Sequence, residues 1–329
     1  MHIPSSLLLA ISQAQHLVVL TGAGASAESG VPTFRDALTG LWKNFDPEEL
    51  AAPEAFVRDP ALVWGWYEWR RKMLLAVRPN PAHIAIAELA KRVPRFTLIT
   101  QNVDDLHERA GSVDVLHLHG SIFQPRCFDC KRPYTFSAPP SLIKEQKLEP
   151  PHCEHCGGLI RPGVVWFGES LPEQELKGAY EAVDSCDVLL SVGTSGIVYP
   201  AAHLPEMAAQ KGAFVIHINP QPVISKYANE HALVGTAGQV LPKLLPERTW
   251  SLKEIDESLG VVKGSAFIAF KRVRNTLKED QDFFYYSGME QPEKVEELKQ
   301  SKRVYASTVN AVLFTETAYG AIVSFLKNN

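Results

Sequence analysis

A glycine-rich turn directly after a short apolar segment is the feature that most limits what this chain can fold into. The apolar run Leu17–Leu20 has the character of a buried strand. It leads into Gly22-Ala23-Gly24, where two glycines one residue apart let the backbone turn tightly and approach a diphosphate with no Cβ in the way. Ser26 and Ser29 add hydroxyl groups to the same turn. The segment predicts a strand–turn–helix unit that can hold a nucleotide.

Apolar runs of this kind recur along the first 220 or so residues. They are Leu17–Leu20, Phe96–Thr100, Val164–Phe167, Val188–Val192 and Phe214–Ile218. Nearly continuous apolar runs suit parallel strands that helices cover on both faces. The intervening segments Glu173–Val183 and Pro200–Lys211 are long enough for crossover helices. The pattern predicts a Rossmann-type, doubly wound α/β sheet, with Gly22, Gln101 and Gly193 converging beyond the strand ends.

The length of 329 residues allows a sizeable core and an appendage. We expect a main domain over 1–246, interrupted by a helical insertion at 38–93 and a second insertion at 124–162, and a C-terminal module over 247–329. The net charge of −4 gives no overall attraction to nucleic acid or to an anionic membrane. No apolar run approaches the roughly 18 residues of a membrane helix, so a cytoplasmic location is the expectation.

Four of the five cysteines form two CxxC pairs, Cys127/Cys130 and Cys153/Cys156. Two such pairs can complete a tetrahedral site, the usual arrangement of a closed structural zinc ion. Two disulfides or redox-active thiols are the alternatives, and His152 and His155 could substitute as ligands. We favour zinc, because a redox CxxC does not need a second pair.

Polar residues follow two of the predicted strands. Gln101, Asn102 and Asp104 leave the Phe96–Thr100 run, where Asp104 could simply cap a helix. His117 and His119 lie at alternate positions of an extended run and point the same way. One of them could be catalytic and the other structural, and their spacing does not decide which.

Several of these segments together resemble the sirtuin family of NAD-dependent protein-lysine deacylases. The turn continues through Pro-Thr-Phe-Arg, as in the sirtuin cofactor loop, and Gln-Asn-x-Asp and His-Gly match further family motifs. The resemblance spans about residues 5–246. It implies that NAD is held by Gly22, Ala23, Gly24, Ser26, Ala27, Thr33, Phe34, Arg35, Gln101, Asn102, Asp104, His119, Gly193, Thr194, Ser195 and Asn219.

The resemblance also implies a mechanism. The acyl oxygen attacks C1′ of the nicotinamide ribose and releases nicotinamide, and His119 then acts as the general base on a ribose hydroxyl. Gln101 and Asn102 complete the catalytic set, and His117 is left as the structural histidine. Water completes the release of free lysine and an O-acyl-ADP-ribose. The peptide backbone adds as a strand to a segment made of Val165, Trp166, Phe167, Gly168 and Glu169.

Tyr67 and Arg70 are the residues from which we infer which acyl group is removed. At i, i+3 spacing on a helix they share one face, and Tyr-x-x-Arg at this position resembles the class III sirtuins, which remove acidic acyl groups such as succinyl and malonyl. A phenol and a guanidinium can bind the distal carboxylate of such an acyl group through hydrogen bonds. An isolated Tyr-x-x-Arg would otherwise be a packed tyrosine beside a solvated arginine. Arg71 is expected to face solvent.

The C-terminal module resembles no family that we recognise. Leu252, Ile255 and Leu259 predict an amphipathic helix ended by Gly260, and Ser265 is expected to cap a second helix. Two short helices around a glycine-containing turn resemble a helix-turn-helix. The second helix region carries the basic residues Lys263, Lys271, Arg272 and Arg274.

DNA is therefore one candidate partner of this module, against a generic interaction or oligomerisation domain. Residues 247–329 carry 12 Lys and Arg against 12 Asp and Glu, so the module is not basic overall. Beyond it, strands are expected at Phe283–Tyr286 and Val309–Phe314, a helix near Glu293–Lys299, and a final helix.

Two other functions use the same NAD site. One is an NAD glycohydrolase or ADP-ribosyltransferase. The other is an NAD-sensing regulator that acts through its C-terminal module. The peptide-binding segment argues against the first, and the intact set of Gln101, Asn102 and His119 argues against the second.

Overall fold

The computed structural model describes residues 3–32, 46, 50–136, 147–245 and 249–327. The chain divides into two compact units, Met1–Pro246 and Glu247–Asn329. Within the described residues, no helix has both the length and the apolar character needed to cross a membrane.

The first unit is built on a six-stranded parallel sheet with the strand order β3-β2-β1-β6-β7-β8. The strands of this unit are β1 (His16–Thr21), β2 (Arg95–Thr100), β3 (Leu116–His117), β4 (Gly120–Cys127), β5 (Ile160–Val164), β6 (Val188–Val192), β7 (Phe214–Asn219) and β8 (Glu230–Val234). The order reverses between β1 and β6. A crevice therefore opens at the carboxyl ends of these two strands, where ligands of doubly wound sheets bind.

Helices cover both faces of this sheet. The helices of the first unit are α1 (Ser5–Gln13), α2 (Ala23–Ala27), α3 (Pro53–Arg58), α4 (Pro60–Ala76), α5 (Pro81–Ala90), α6 (Leu106–Arg109), α7 (Glu173–Ser185), α8 (Leu204–Gln210) and α9 (Ala237–Leu244), with a 3-10 turn at Ala201–His203. Leu17 and Val19 pack with α1, α5 and α9, whereas Val18 and Leu20 pack with α7 and α8. Each β1 residue meets one of two apolar layers, which is why the run is apolar throughout.

The predicted Rossmann-type sheet is confirmed, but one predicted strand was wrong. The run Val164–Phe167 does not join the parallel sheet, because β5 ends at Val164 and pairs antiparallel with β4. The actual outer strands are β3 and β8. Sequence reasoning missed both, because β3 has two residues and β8 carries the polar Glu230 and His231.

Strands β4 and β5 form the ribbon of a smaller module that also contains α3 and α4. Its core joins apolar side chains of α3, α4 and β5 with Trp166. The ring of Phe56 lies 5.4 Å from that of Trp166, and the ring of Tyr67 lies 6.5 Å from it, measured between centroids. The predicted helical and cysteine-bearing insertions therefore share one core.

The second unit is an α+β fold. Its elements are β9 (Trp250–Ser251), α10 (Leu252–Leu259), α11 (Ser265–Val273), a 3-10 turn at Arg274–Thr276, β10 (Phe283–Tyr286), α12 (Pro292–Gln300), β11 (Ala311–Phe314) and α13 (Glu316–Lys327). The three strands form an antiparallel sheet in the order β10-β11-β9. Helix α10 ends at Gly260, whose φ of 64° is left-handed, so that prediction is confirmed.

The expected cap of α11 by Ser265 was wrong. Gly264 occupies the N-cap position, and no side chain at that position caps the helix. Instead the buried Asp256 of α10 accepts hydrogen bonds from the N–H groups of Gly264 and Ala266, both at 2.8 Å. One carboxylate therefore ties the two helices together and fixes the turn between them.

We expect Asp256→Ala to lower the free energy of unfolding of the C-terminal unit by about 1–3 kcal/mol, because the buried N–H of Ala266 and the partly buried N–H of Gly264 lose their acceptor. Denaturant unfolding of the full chain, with hydrogen exchange read over 249–327, measures this. Glu257→Ala, which truncates an exposed neighbour on α10, is the control. Equal effects of the two variants would contradict the capping role.

Candidate active site

Two glycine turns meet at the carboxyl edge of the sheet. The N–H of Gly22 donates to the Val192 carbonyl and that of Gly24 to the Gly193 carbonyl, both at 3.0 Å. A Cβ on Gly24 would lie 2.7 Å from the Gly193 Cα, and one on Gly193, whose φ is +59°, would lie 2.5 Å from the Ala25 nitrogen. Glycine is required on both sides of this contact because the two backbones touch.

The loops after β6 and β7 extend this edge. The Asn219 amide donates to the Thr194 carbonyl at 2.9 Å, and the Thr194 and Ser191 hydroxyls lie 2.9 Å apart. Thr194, Ser195, Asn219 and Gln101 line a cavity of about 160 Å³. The structure thus brings together predicted cofactor residues that are more than one hundred positions apart in the chain.

A buried network lies on the other side of the glycine contact. The Ser26 hydroxyl donates to the Asp104 carboxylate at 2.9 Å and accepts from the Asn102 amide at 3.0 Å. The second Asp104 oxygen accepts from the Leu106 N–H at 3.1 Å at the start of α6, although Asp105, not Asp104, holds the N-cap position. Burial raises the pKa of Asp104. Asp104 therefore fixes both the start of α6 and the position of Ser26.

Sequence reasoning missed four members of this network. The Thr21 hydroxyl donates to that of Thr100 at 2.8 Å and lies 3.0 Å from His107 Nε2. The rings of His107 and His83 lie 4.8 Å apart, and His83 Nε2 lies 3.4 Å from Ser26 Oγ. Burial lowers the pKa of His83 to about 4 and, with the nearby His83 charge, that of His107 to about 3. Both rings are neutral at pH 7, and no local pattern links them.

His119 follows β3, and its Nδ1 lies 3.0 Å from the Gln101 carbonyl oxygen. A carbonyl oxygen only accepts, so Nδ1 carries the proton and Nε2 keeps its lone pair. Burial lowers the pKa of His119, which the Gln101 contact only partly offsets. The neutral ring therefore persists to lower pH than for an ordinary histidine, and Nε2 is available as a base near pH 7.

His117 has a different environment from His119. Its Nδ1 lies 3.2 Å from the Asn102 carbonyl oxygen and its Nε2 lies 2.6 Å from a Glu108 carboxylate oxygen. Both ring nitrogens are engaged, as expected for a structural histidine.

The predicted substrate segment leads away from β5 beside His119. The Val165 N–H donates to the His119 carbonyl at 2.8 Å, and the Phe167 N–H donates to the Ala51 carbonyl at 2.9 Å. Gly168 has a φ of +83°, which reverses the chain after the segment. The backbone of the segment is thus tied directly to the candidate base.

Glu169 and Trp166 hold this segment in place. The buried Arg161 donates to both carboxylate oxygens of Glu169, which also accepts from the Trp166 N–H at 2.8 Å. The Arg161 guanidinium lies 3.4 Å from the centroid of the Trp166 ring. The Glu169 carboxylate is therefore bound by Arg161 and by the Trp166 N–H within the protein. Sequence reasoning missed its partner Arg161.

Helix α4 supplies Tyr67 and Arg70, and both are buried. The Tyr67 hydroxyl accepts from the Trp166 indole N–H at 3.1 Å, and the Arg70 guanidinium lies 5.2 Å from the Trp66 ring centroid. Burial raises the pKa of Tyr67 and lowers that of Arg70, and the Asp104 charge opposes the change at Arg70. Arg70 is thus not a solvated surface residue.

The expectation that Arg71 faces solvent was wrong. Arg71 is 5% exposed. It donates to both Glu68 carboxylate oxygens, at 2.8 and 2.7 Å, and its guanidinium lies 3.5 Å from the Phe136 ring centroid. The ion pair and the ring replace the water that this side chain loses.

The four predicted cysteines lie together, with their Sγ atoms all within 4.8 Å of one another. None of these four cysteines forms a disulfide, which disagrees with the disulfide alternative. The donor set and its spacing suit a structural zinc ion, and His152 and His155 are not part of the cluster. Cys127 and Cys153 are buried against Trp64 of α4.

The remaining predicted residues divide into two groups. Ala23 and Ala27 begin and end α2, beside the glycine contact. Thr33, Phe34 and Arg35 lie outside the described residues.

Comparison with known proteins agrees with this geometry. Residues 22–200 match the model of the Sir2 family. An NAD-dependent protein deacylase 1 from Pseudomonas aeruginosa is 60% identical over 237 residues, which cover 71% of this chain and 95% of that protein. An NAD-dependent protein deacylase from Methylococcus capsulatus is 53% identical over 249 residues, which cover 74% of this chain and 97% of that protein.

Solved structures give the same result. A Sir2 homologue in complex with NAD superposes with a TM-score of 0.68 at 47% identity, covering 74% of this chain and 93% of the other. A mutant Sir2 homologue in complex with 2′-O-acetyl ADP ribose superposes with a TM-score of 0.66 at 46% identity, covering 74% of this chain and 95% of the other. The fold and site are those of a nucleotide-binding α/β enzyme with a cysteine-rich module. More specifically, the chain belongs to the Sir2 family.

Proposed function

We propose that this protein is an NAD-dependent protein-lysine deacylase. The observation that carries the proposal is the position of His119, whose Nδ1 is held by the Gln101 carbonyl while its own carbonyl accepts from Val165. One residue thereby joins the cofactor-side loop to the substrate segment. The names of the Pseudomonas and Methylococcus relatives support the same activity.

The residues present fit NAD. The two glycine turns pack backbone against backbone at Gly24 and Gly193, on the carboxyl edge of the sheet where doubly wound folds bind nucleotides. The cavity lined by Thr194, Ser195 and Asn219 offers hydroxyl and amide groups for a ribose and a base. When bound, NAD would supply the ribose carbon C1′, from which nicotinamide departs and to which the acyl oxygen bonds.

The protein groups then have distinct tasks. His119 Nε2 takes the proton of a ribose hydroxyl, since its Nδ1 is already committed to Gln101. The Asn102 amide, fixed by Ser26, orients groups at the same edge. Val165 holds the substrate backbone beside the base, and the packed small module excludes water.

We further propose that the preferred acyl groups are acidic, with succinyl and malonyl ahead of acetyl. Tyr67 and Arg70 lie on one face of α4, and the Asp104 charge acts on Arg70 from the cofactor side. A buried guanidinium gains more from an incoming carboxylate than a solvated one does, because little water screens the pair. A cytoplasmic location stays a prediction.

We expect His119→Ala to abolish turnover and to leave the thermal unfolding of the protein nearly unchanged. Mass spectrometry of acetyl-lysine and succinyl-lysine peptides with NAD measures it, with His231→Ala on β8 as the control. Full deacylation by His119→Ala would refute the assignment. NAD consumption without peptide deacylation by the unmodified protein would favour the glycohydrolase, and no NAD consumption would favour the regulator.

We expect Arg70→Met to lower kcat/KM for succinyl-lysine roughly tenfold or more and to change that for acetyl-lysine much less, because a charge-assisted hydrogen bond contributes about 1.5–3 kcal/mol. Lys72→Met, a half-buried cation on the same helix, is the matched control. Equal losses for both acyl groups would remove the argument for an acidic acyl pocket.

We also propose DNA as a partner of the C-terminal unit. Helices α10 and α11 are joined by a five-residue turn that begins at Gly260, and Asp256 fixes this turn. Lys271 and Arg272 are exposed on α11, the second helix. Exposed cations on the second helix of such a pair suit phosphate contacts.

Fluorescence anisotropy with duplex DNA at several salt concentrations tests this on the full chain. Lys271→Glu/Arg272→Glu should weaken binding and reduce the slope of log K against log salt by about two, since roughly one unit is lost per phosphate contact. Lys294→Glu/Lys299→Glu on α12 makes the same charge change elsewhere. Identical slopes for both double variants, or no binding at low salt, would refute the DNA proposal.

A further inference from the structure

Four successive carbonyl groups, from the last residue of β2 into the loop that follows it, accept hydrogen bonds from one segment, 117–122. The Thr100 carbonyl accepts from Leu118 N–H at 2.9 Å and the Val103 carbonyl from Ile122 N–H at 3.0 Å. The two carbonyls between them, of Gln101 and Asn102, accept from imidazole side chains instead of backbone.

These two imidazoles are His119, which faces Gln101, and His117, which faces Asn102. His119 has one such acceptor. His117 has two, because its second nitrogen lies 2.6 Å from the Glu108 carboxylate at the start of α6. Neither a carbonyl oxygen nor an ionised carboxylate can donate, so only the doubly protonated ring satisfies both partners of His117.

We propose that His117 is a positioning residue for deacylation: as an imidazolium it donates to the Asn102 carbonyl and to the Glu108 carboxylate, and so holds the loop that carries Gln101, Asn102 and Asp104 in its working geometry. This inference rests on the proposed function. Under this proposal the two histidines have opposite protonation states although they are only two residues apart. His119 is neutral and acts as the base, whereas His117 is charged and holds the loop, a contact that we call the clamp.

The charges around the His117 ring support this assignment. Burial disfavours the imidazolium, but the hydrogen bond and charge of Glu108, the Asn102 carbonyl and the Asp104 charge outweigh burial and raise the pKa of His117. His107 of α6 also interacts with it and is itself held neutral. From α7, which packs against β3, Gly178 faces the neighbouring Leu116 and adds no charge. In turn, the pKa of Glu108 is lowered, because the His117 bond outweighs its burial.

The sign of the pH dependence follows from these directions. The raised pKa of His117 keeps the clamp formed above the ordinary histidine value of about 6.5, and the clamp is lost as pH rises through the raised value. The lowered pKa of His119 keeps the base active below that value. Activity should therefore fall toward acid pH as His119 is protonated. It should fall toward alkaline pH as His117 loses its second proton.

The test is the pH profile of kcat/KM for a succinyl-lysine peptide with saturating NAD. Glu108→Gln should move the alkaline limb to lower pH, with a roughly tenfold loss at the alkaline end and an unchanged acid limb. His117→Arg, a permanent cation with several donors, should remove that limb. Glu181→Gln, an exposed carboxylate on α7, is the matched control and should leave both limbs in place.

Nuclear magnetic resonance of the histidine rings in the unmodified protein gives a readout that does not depend on activity. His117 should still be mainly doubly protonated at pH 6.5, the ordinary histidine pKa, and should lose a proton in the range of the alkaline limb. A His117 ring that is already mainly neutral at pH 6.5 would overturn the proposal. The proposal would also be overturned if the pH profile of kcat/KM for Glu108→Gln kept the shape of the unmodified protein's profile. That includes a loss of kcat/KM that is the same at every pH. Absence of deacylation by the unmodified protein at every pH would overturn the proposed function as well, whereas an active enzyme with an unshifted limb would overturn the clamp alone.

Discussion

The contact between the glycine turns after β1 and β6 is the constraint on which the rest of the site depends. These strands are neighbours at the point where the strand order reverses, and the Gly24 and Gly193 backbones touch there with no space for a Cβ. Any larger residue would separate the two loops and widen the crevice between them. Because the loops are locked together, the cavity beside Thr194 and the network around Ser26 have fixed positions on either side of one backbone contact.

The polar residues behind this contact show how burial assigns chemical roles. Asp104, His83 and His107 are buried, and for each of them burial favours the neutral form. His117 differs because two acceptors surround it and a carboxylate stands at one nitrogen. Histidines of one site thus have pKa values shifted in opposite directions, and burial and hydrogen-bond partners rather than residue identity set that direction.

Helix α4 carries both Trp64, which packs against the cysteine cluster, and the proposed acyl-group residues Tyr67 and Arg70. Trp64 packs against the buried Cys127 and Cys153, Tyr67 bonds to Trp166, and Arg71 lies against Phe136. A structural zinc ion would therefore stabilise the same rigid helix that presents Arg70. Under the proposed acyl-group preference, the cysteine cluster would act on substrate recognition only through this helix, away from the candidate base His119.

The sequence by itself determined the fold class, the four-cysteine cluster and the convergence of Gly22, Gln101 and Gly193 at the carboxyl edge, because each of these leaves a local pattern; the other cofactor residues were expected only from the family resemblance. Strands buried on both faces are apolar throughout, and paired CxxC segments and glycine turns have fixed spacings. Only the tertiary structure decided the partners of His83, His107, Arg71 and Arg161, since their contacts join segments with no shared pattern. It also decided that Val164–Phe167 is not a strand of the parallel sheet and which atoms face the rings of His117 and His119, because these contacts join segments brought close by folding and do not follow from spacing along the chain.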